Sequence, residues 1–309
     1  EMTGIEFLDH LQPDKRGDVV VVMFSSASKK NAEVTMECLS RGAEEFVNKP
    51  DPARTGMREP LEETVAELGR TIRGLVRARK GKREEPSRDA GPAVPRPSGR
   101  KHRTGDGVPA GFQPDLVVIG SSTGGPQTLH TILSGMPVGE VARVPILLVQ
   151  HMAQGFTGPF AERLGARGPF QWREAEDGEK VPLGTGLVAP GNYHMRLSRY
   201  TNRLTVHLDQ EPRVNSCRPA VDPLFTSAAE LPGSRVLGIV LTGMGQDGLE
   251  GARHIRESGG VVVVQDEESS AVWGMPGSIA RAGLQNAVMD PRGISELLGR
   301  VLFAMTASG

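Results

Sequence analysis

Short apolar runs recur along the chain, separated by segments in which apolar residues return every three or four positions. The runs are too short for ordinary helices and are rich in Val, Ile and Leu, which predicts strands buried on both faces at 19–24, 116–119, 145–150, 236–241 and 260–265. Helical spacing lies between them, at 31–40, at 57–80 and around residues 129, 223 and 252. Such alternation predicts an α/β fold whose mostly parallel sheet carries helices on both faces.

One stretch, residues 80–112, departs from this pattern. It has almost no aliphatic residues and is rich in Pro, Gly, Lys and Arg, a composition that cannot bury a core. We interpret it as a flexible linker, although its basic residues could also contact an acidic partner. The chain is therefore predicted to contain a first domain at 1–79, the linker at 80–112 and a second domain at 113–309.

Composition narrows the function classes. With 309 residues, a net charge of −1 and 4% aromatic residues, the chain shows no global field or stacking surface for nucleic acid. No apolar run has membrane-spanning length and no signal peptide is evident. The two cysteines, Cys38 and Cys217, exclude a disulfide scaffold and suit a reducing compartment. We expect a cytoplasmic protein without membrane insertion.

The stretch LVVIGSSTGGPQTL, residues 116–129, has the form of a strand, a tight turn and a helix. Gly124 and Gly125 permit the turn, and Pro126 fits the first turn of the helix. Ser122 and Thr123 lie between strand and helix. Three interpretations stay open for this stretch alone: a nucleophile elbow, a simple helix cap, or a phosphate-binding loop.

Two further strands also end in chemically useful residues. His151 follows the strand at 145–150, and Asp247 lies in the loop after the strand at 236–241. Because the carboxyl ends of parallel strands share one edge, Ser122, His151 and Asp247 can converge as nucleophile, base and orienting acid. His151 as a local hydrogen-bonding residue and Asp247 as a helix cap remain alternatives. Gln150 occupies the place where a dinucleotide site needs an acidic residue, which disfavours the phosphate-binding interpretation.

The second domain resembles the catalytic domain of the chemotaxis protein-glutamate methylesterases through the motifs IGSSTGGPQTL, VQHMAQGFTGPFAERL and LTGMGQDGLEGA. The resemblance implies a doubly wound, Rossmann-like domain with Ser122, His151 and Asp247 as its triad and with Thr123 and Met244 lining the active site. It also implies hydrolysis of glutamyl methyl esters, and deamidation of certain glutamines, on methyl-accepting chemotaxis receptors. No cofactor is implied for this hydrolysis.

The first domain resembles the second half of a flavodoxin-like two-component receiver through EMTGIEFL, VVVVMFSS and GAEEFVNKP. Ser25 and Lys49 match the receiver residues that contact a phosphorylated aspartate. The resemblance implies a chemotaxis histidine kinase as phosphodonor and an unphosphorylated receiver that covers the active site. An intact receiver binds Mg²⁺, but its phosphoacceptor and acidic metal ligands would precede Glu1, so we expect a truncated receiver with an incomplete metal site.

Two alternatives to a chemotaxis esterase stay open: a non-catalytic docking module with the same fold, and an esterase of another sensory pathway. The roles of four further residues are also open. Arg218 and Asp222 could shape the groove for a receptor helix or form loop ion pairs. Trp273 and Met275 could flank the site or pack in the core.

Overall fold

A computed structural model describes residues 2–11, 19–26, 28–49, 59–83, 107–136, 142–166, 171–200 and 203–303. The N-terminal part, up to residue 83, contains α1 (Gly4–His10), β1 (Val22–Ser25), α2 (Lys29–Ser40), β2 (Glu45–Asn48) and α3 (Glu59–Arg83). Strands β1 and β2 pair in parallel, with Ser25 opposite Asn48. Helix α1 begins with a reciprocal capping box between Thr3 and Glu6.

Both ends of the predicted linker differ from the prediction. Helix α3 continues to Arg83, beyond the predicted start of the linker at residue 80. At the other end, Val108 and Phe112 pack against the core of the C-terminal part. Folded structure thus extends into the 80–112 region from both sides, and residues 84–106 lie outside the described ranges.

The C-terminal part begins at residue 107 and is built on a parallel sheet. Its elements are, in order, β3 (Leu116–Ser121), α4 (Gly125–Ser134), β4 (Ile146–Gln150), α5 (Thr157–Gly165), β5 (Gln171–Glu174), β6 (Thr185–Val188), β7 (His194–Tyr200), β8 (Arg203–Asp209), α6 (Val221–Ala229), β9 (Val236–Val240), α7 (Leu249–Glu257), β10 (Val261–Gln265), α8 (Met275–Arg281), β11 (Ala287–Met289) and α9 (Pro291–Phe303). Seven strands pair in the order β11-β10-β9-β3-β4-β6-β5, all in parallel. Strands β7 and β8 form a separate antiparallel hairpin. The predicted α/β architecture is confirmed.

The strands of this sheet are buried on both faces, as their continuous apolar runs predict. Val117 and Ile119 of β3 point to one core, while Leu116 and Val118 point to the other. The first core includes residues of α4, α5 and α9, and the second includes residues of α6, α7 and α8. Burial on both sides leaves the carboxyl edge as the exposed part of the strands where polar side chains can gather.

The N-terminal part packs on the first of these cores. Met36 and Leu39 of α2 belong to the same buried cluster as the residues of α4 and α5. The rings of Phe46 and Phe156 lie with their centroids 4.6 Å apart. Arg163 Nη1 of α5 lies 2.8 Å from Glu37 Oε2 of α2. The contact between the two parts is therefore both apolar and ionic.

Spanning a membrane would require a longer and more apolar helix than any that the structure describes.

Candidate active site

The candidate site lies where the order of the strands reverses. The chain passes from β3 to β4 on one side of β3, and β9 later pairs with β3 on the other side. At such a switch point the loops at the carboxyl ends part and leave a crevice. Ser122 follows β3, His151 follows β4, and the loop that carries Asp247 follows β9.

Backbone hydrogen bonds bring these three loops together. The N–H of His151 donates to the Ser121 carbonyl at 3.0 Å, and the N–H of Ser122 donates to the Thr242 carbonyl at 3.0 Å. The Thr242 hydroxyl donates to the Thr123 carbonyl at 2.9 Å. Ser122 is partly exposed, whereas Thr123 and Thr242 are buried. The turn therefore presents the Ser122 side chain near the surface of the crevice.

The turn after β3 depends on Gly124, which has a left-handed φ of 78°. A Cβ at this position would also lie only 2.5 Å from the Cβ of Ala271, so a side chain is excluded on steric grounds as well. Gly124 is the N-cap of α4, and the helix has no side-chain cap. The alternative interpretation of Ser122 and Thr123 as helix caps is therefore wrong.

The buried Gln150 side chain holds this turn, a role that sequence reasoning missed. Its Oε1 accepts a hydrogen bond from the Ser121 hydroxyl at 2.6 Å, and its Nε2 donates to the Ser122 carbonyl at 3.0 Å. Nε2 also lies 3.3 Å from the His151 carbonyl oxygen. One side-chain amide thus joins the ends of β3 and β4. The only sequence signal was a polar residue at the end of an apolar strand.

His151 and Asp247 are in direct contact. His151 Nε2 lies 2.7 Å from Asp247 Oδ2, and the two side chains are only 11% and 2% exposed. Asp247 also accepts the N–H groups of Val221 at 2.6 Å, Asp222 at 3.2 Å and Gly248 at 3.0 Å. Burial raises the pKa of Asp247, but the hydrogen bond from His151 and the backbone donors outweigh it and leave the pKa below its usual value.

Asp247 does not cap the helix that follows it. Helix α7 begins after Gly248 without a side-chain cap, and the Gly251 N–H in its first turn donates to Asp222 Oδ1 at 2.8 Å. Asp247 instead receives the N–H groups at the start of α6. The helix-cap alternative for Asp247 is therefore wrong for α7, and its carboxylate is oriented toward His151.

The other nitrogen of the His151 ring faces a cysteine. His151 Nδ1 lies 3.5 Å from the Sγ of Cys217, which sequence reasoning had not connected to the site. Burial lowers the pKa of His151, but the electrostatic interaction with Cys217 and the hydrogen bond to Asp247 outweigh it and raise the pKa to about 10. The His151 ring therefore has one partner at each nitrogen, Asp247 at Nε2 and Cys217 at Nδ1.

The predicted lining residues lie beside Ser122. The N–H of Gly243 donates to the Val272 carbonyl at 2.9 Å. Within the described ranges, the N–H groups of Thr123 and Met244 donate no hydrogen bond.

The N-terminal part reaches the same edge of the sheet. Glu45 Oε2 accepts the N–H of Gly124 at 3.3 Å, two residues after Ser122. A Cβ on Gly74 of α3 would lie 2.4 Å from the Met244 Cε, so this helix packs directly on Met244. β2 and α3 therefore border the crevice.

The two receiver-like residues lie side by side at the ends of β1 and β2. The N–H of Lys49 donates to the Ser25 carbonyl at 2.7 Å, and the Lys49 ammonium lies 5.4 Å from the centroid of the Phe24 ring. In the part of the chain that the structure describes, no three His, Cys, Asp or Glu side chains are grouped so that they could hold a metal ion.

The residues whose roles were open take mostly structural positions. The Arg218 guanidinium donates to Asn192 Oδ1 at 2.8 Å and to the Gln210 carbonyl at 2.7 Å, so it ties loops together without an ion pair. Met275 is fully buried. Trp273 Nε1 donates to the Gln265 carbonyl at 2.9 Å.

Comparisons with known proteins agree with this architecture. Residues 117–298 match the family described as CheB methylesterase. A protein-glutamate methylesterase/protein-glutamine glutaminase of Caulobacter vibrioides is 41% identical over 93% of this chain and 79% of its own length. One from Rhodospirillum rubrum is 40% identical over 95% of this chain and 78% of its own length.

A solved structure is also similar. The crystal structure of the Thermotoga maritima CheB methylesterase catalytic domain is 39% identical, with a TM-score of 0.58, and the match covers 62% of this chain and 100% of that one. The family match spans more than half of the chain and includes Ser122, His151 and Asp247. The chain belongs to the CheB methylesterase family.

Proposed function

We propose that the protein hydrolyses glutamyl methyl esters, and deamidates specific glutamines, on the cytoplasmic domains of chemoreceptors during chemotaxis adaptation. The observation that carries the proposal is the hydrogen bond between the His151 imidazole and the buried Asp247 carboxylate, at the edge of the sheet where Ser122 follows β3. The relatives with the same architecture are named for these two activities.

On this proposal each member of the triad has one role. The Nε2–H of His151 donates to Asp247, so Nδ1 is the nitrogen that removes the Ser122 proton. The Ser122 oxygen attacks the glutamyl carbonyl carbon, and the resulting tetrahedral species collapses to an acyl-enzyme as His151 protonates the departing methanol. Water then attacks the acyl-enzyme and gives its proton to His151, which passes it to the departing Ser122 oxygen as the glutamate is released. With a glutamine substrate the first leaving group is ammonia.

The oxyanion of the tetrahedral species requires donors that are not already bonded. The N–H groups of Thr123 and Met244 meet this condition among the described residues. Thr123 lies on the loop after β3 and Met244 on the loop after β9, where a Cβ on the neighbouring Gly243 would lie 2.8 Å from the Ser122 Cβ. An ester and a primary amide pass through the same oxyanion, so one pair of donors can serve both reactions.

We assign the N-terminal part, with Ser25 and Lys49, to a receiver that regulates this hydrolysis and takes its phosphoryl group from a chemotaxis histidine kinase. The supporting contacts are those of Glu45 with Gly124 and of α3 with Met244 at the crevice. Because the N-terminal part lies against Gly124 and Met244, it limits the access of a receptor helix to the crevice. On this proposal the substrate domains and the phosphodonor are cytoplasmic, which supports the same location for this protein.

The test measures methanol release from methylated receptor. Ser122→Ala should abolish release while the fold is retained, because it removes one partly exposed hydroxyl. Ser198→Ala, in the hairpin β7–β8, is the matched serine control and should keep the wild-type rate. Methanol release by folded Ser122→Ala would refute the assignment. A serine-directed covalent probe that fails to label Ser122 would favour a docking module over an enzyme.

A further inference from the structure

Cys217 contacts the candidate base at the atom where the chemistry takes place. Its Sγ lies 3.5 Å from His151 Nδ1, while Asp247 occupies Nε2. The mechanism above leaves Cys217 unused, although Nδ1 has to take the proton of Ser122. Cys217 is partly exposed to the crevice.

The loop that carries Cys217 is built to hold it there. Asn215 and Ser216 both have left-handed φ values, of 51° and 65°, and Val214 and Cys217 exchange backbone hydrogen bonds across this turn. The Asn215 side-chain amide donates to Asp247 Oδ1 at 3.1 Å. Left-handed conformations cost free energy in residues other than glycine, so the surrounding contacts must stabilise this turn.

We propose that Cys217 is a positioning residue of the reaction: its sulfur holds the His151 imidazole against Asp247 and shares a proton with Nδ1. The proton exchange is balanced, since the pair passes from thiol and imidazole to thiolate and imidazolium without a change in total charge. Ser122 can be deprotonated only when the proton has left Nδ1. The inference deepens the proposed function and rests on its assignment of Ser122 and His151.

The charged groups around the ring come from two loops. Cys217 faces it from the loop before α6, and Asp247 faces it from the loop after β9. Asp222 of α6 lies behind Asp247, and Asn215 bridges the two carboxylates. A thiolate at Cys217 and a carboxylate at Asp247 both favour the protonated ring, which accounts for the raised pKa of His151.

Two substitutions of Cys217 separate the effect of its hydrogen bond with His151 from the effect of its charge. Cys217→Ser keeps a donor and acceptor at this position but has no accessible anion, and Cys217→Ala keeps neither. We expect Cys217→Ser to retain most of kcat and Cys217→Ala to lose about fivefold to tenfold, the order of one hydrogen bond. In both variants the acidic limb of kcat/KM against pH should move to lower pH, because His151 loses its proton more easily.

Alkylation gives an independent readout. Iodoacetamide forms a sulfur–carbon bond with Cys217 as the carbon–iodine bond breaks, and iodide and the thiol proton go to water. The added group lies against Nδ1 and should inactivate the wild type and Cys38→Ser alike. Cys217→Ser should resist. Cys38 is the matched control because it is the other cysteine of the chain and is fully buried in α2.

The outcomes distinguish the two proposals. If Ser122→Ala is inactive but both Cys217 variants keep the wild-type pH profile and the alkylated wild type stays active, the inference about Cys217 is wrong and the proposed function stands. If hydrolysis survives in Ser122→Ala and is lost when Cys217→Ser is added, Cys217 is the nucleophile, and both the assignment of Ser122 and the inference about Cys217 fail. A downward shift of the acidic limb in folded Cys217→Ser supports the inference.

Discussion

Asp247, in the loop before α7, binds a backbone N–H at the start of α6, and Asp222, at the start of α6, binds a backbone N–H in the first turn of α7. Asp247 Oδ1 accepts the N–H of Asp222 at 3.2 Å at the start of α6, and Asp222 Oδ1 accepts the N–H of Gly251 at 2.8 Å in the first turn of α7. Asn215 Nδ2 bridges the carboxylates, at 2.9 Å from Asp222 Oδ2 and 3.1 Å from Asp247 Oδ1. The two helices and the candidate base are thus coupled through one pair of acids.

Asp247→Asn should slow turnover by up to about 10⁴-fold, because an amide cannot stabilise the imidazolium and can impose the wrong tautomer on His151. Steady-state methanol release measures the effect. Asp222→Asn is the matched control, since Asp222 does not touch the ring, and it should lose less than about tenfold. Wild-type turnover in folded Asp247→Asn would leave Asp247 with a structural role only.

Asp222 should make the folded state less stable as the pH rises. Burial and the neighbouring Asp247 raise its pKa to about 6. A carboxyl whose pKa is higher in the folded state contributes stability that is full below its unfolded pKa and is lost as the pH rises through 6. Asp222→Asn should therefore stabilise the protein at pH 7.5 relative to its effect at pH 4.5, by up to about 2 kcal/mol.

Urea unfolding at the two pH values measures this difference. Asp115→Asn provides a control with a pKa shift of opposite sign, because the hydrogen bond from Arg235 lowers the pKa of Asp115. Its carboxylate contributes stability that is present above the unfolded pKa and is lost only as the pH falls below it, so the effect of this variant should be nearly the same at pH 4.5 and pH 7.5. An equal effect of Asp222→Asn at both pH values would contradict the first prediction.

Gln150→Leu should impair both the turn and the reaction. The substitution keeps the approximate volume but leaves the buried Ser121 hydroxyl and the Ser122 carbonyl without their amide partner. We expect a loss of about 1–3 kcal/mol in the free energy of unfolding and a lower kcat. Gln210→Leu, at an exposed loop position, is the control. Unchanged kcat in Gln150→Leu would show that the turn needs no side-chain support.

Weakening the contact between the N-terminal and C-terminal parts should raise the basal rate of hydrolysis. Arg163→Ala removes the ion pair with Glu37, and Glu45→Ala removes the acceptor of the Gly124 N–H. Because the N-terminal part would then cover the crevice less completely, we expect the basal rate of hydrolysis to rise by about twofold to tenfold.

Arg41→Ala is the control for this series, because Arg41 pairs with Glu37 and Asp9 inside the N-terminal part alone. Methanol release without any phosphodonor compares the three variants. A rate that rises equally in Arg41→Ala would attribute the effect to a destabilised N-terminal part and not to the lost contact.

The sequence alone determined the strands of the central sheet and the residues that follow them. Runs such as 116–119 and 261–264 are apolar at every position because both of their faces are buried, so their burial can be inferred from the sequence alone. Strands β5 and β11 escaped prediction, because β5 alternates with charged residues and β11 has only three residues. The positions of Ser122, His151 and Asp247 at strand ends followed from the same pattern.

Only the tertiary structure decided how the site is supported. Cys217 lies 66 positions from His151, and Gln150 lies 28 positions from Ser122, yet each pair is in contact. Such contacts depend on how loops close across the edge of the sheet, and hydrophobic periodicity reports burial within one element and not the meeting of two loops. The partners of Asp247 could not be predicted for the same reason. Its carboxylate accepts N–H groups of α6, a helix that precedes it in the chain and contacts it only in the folded protein.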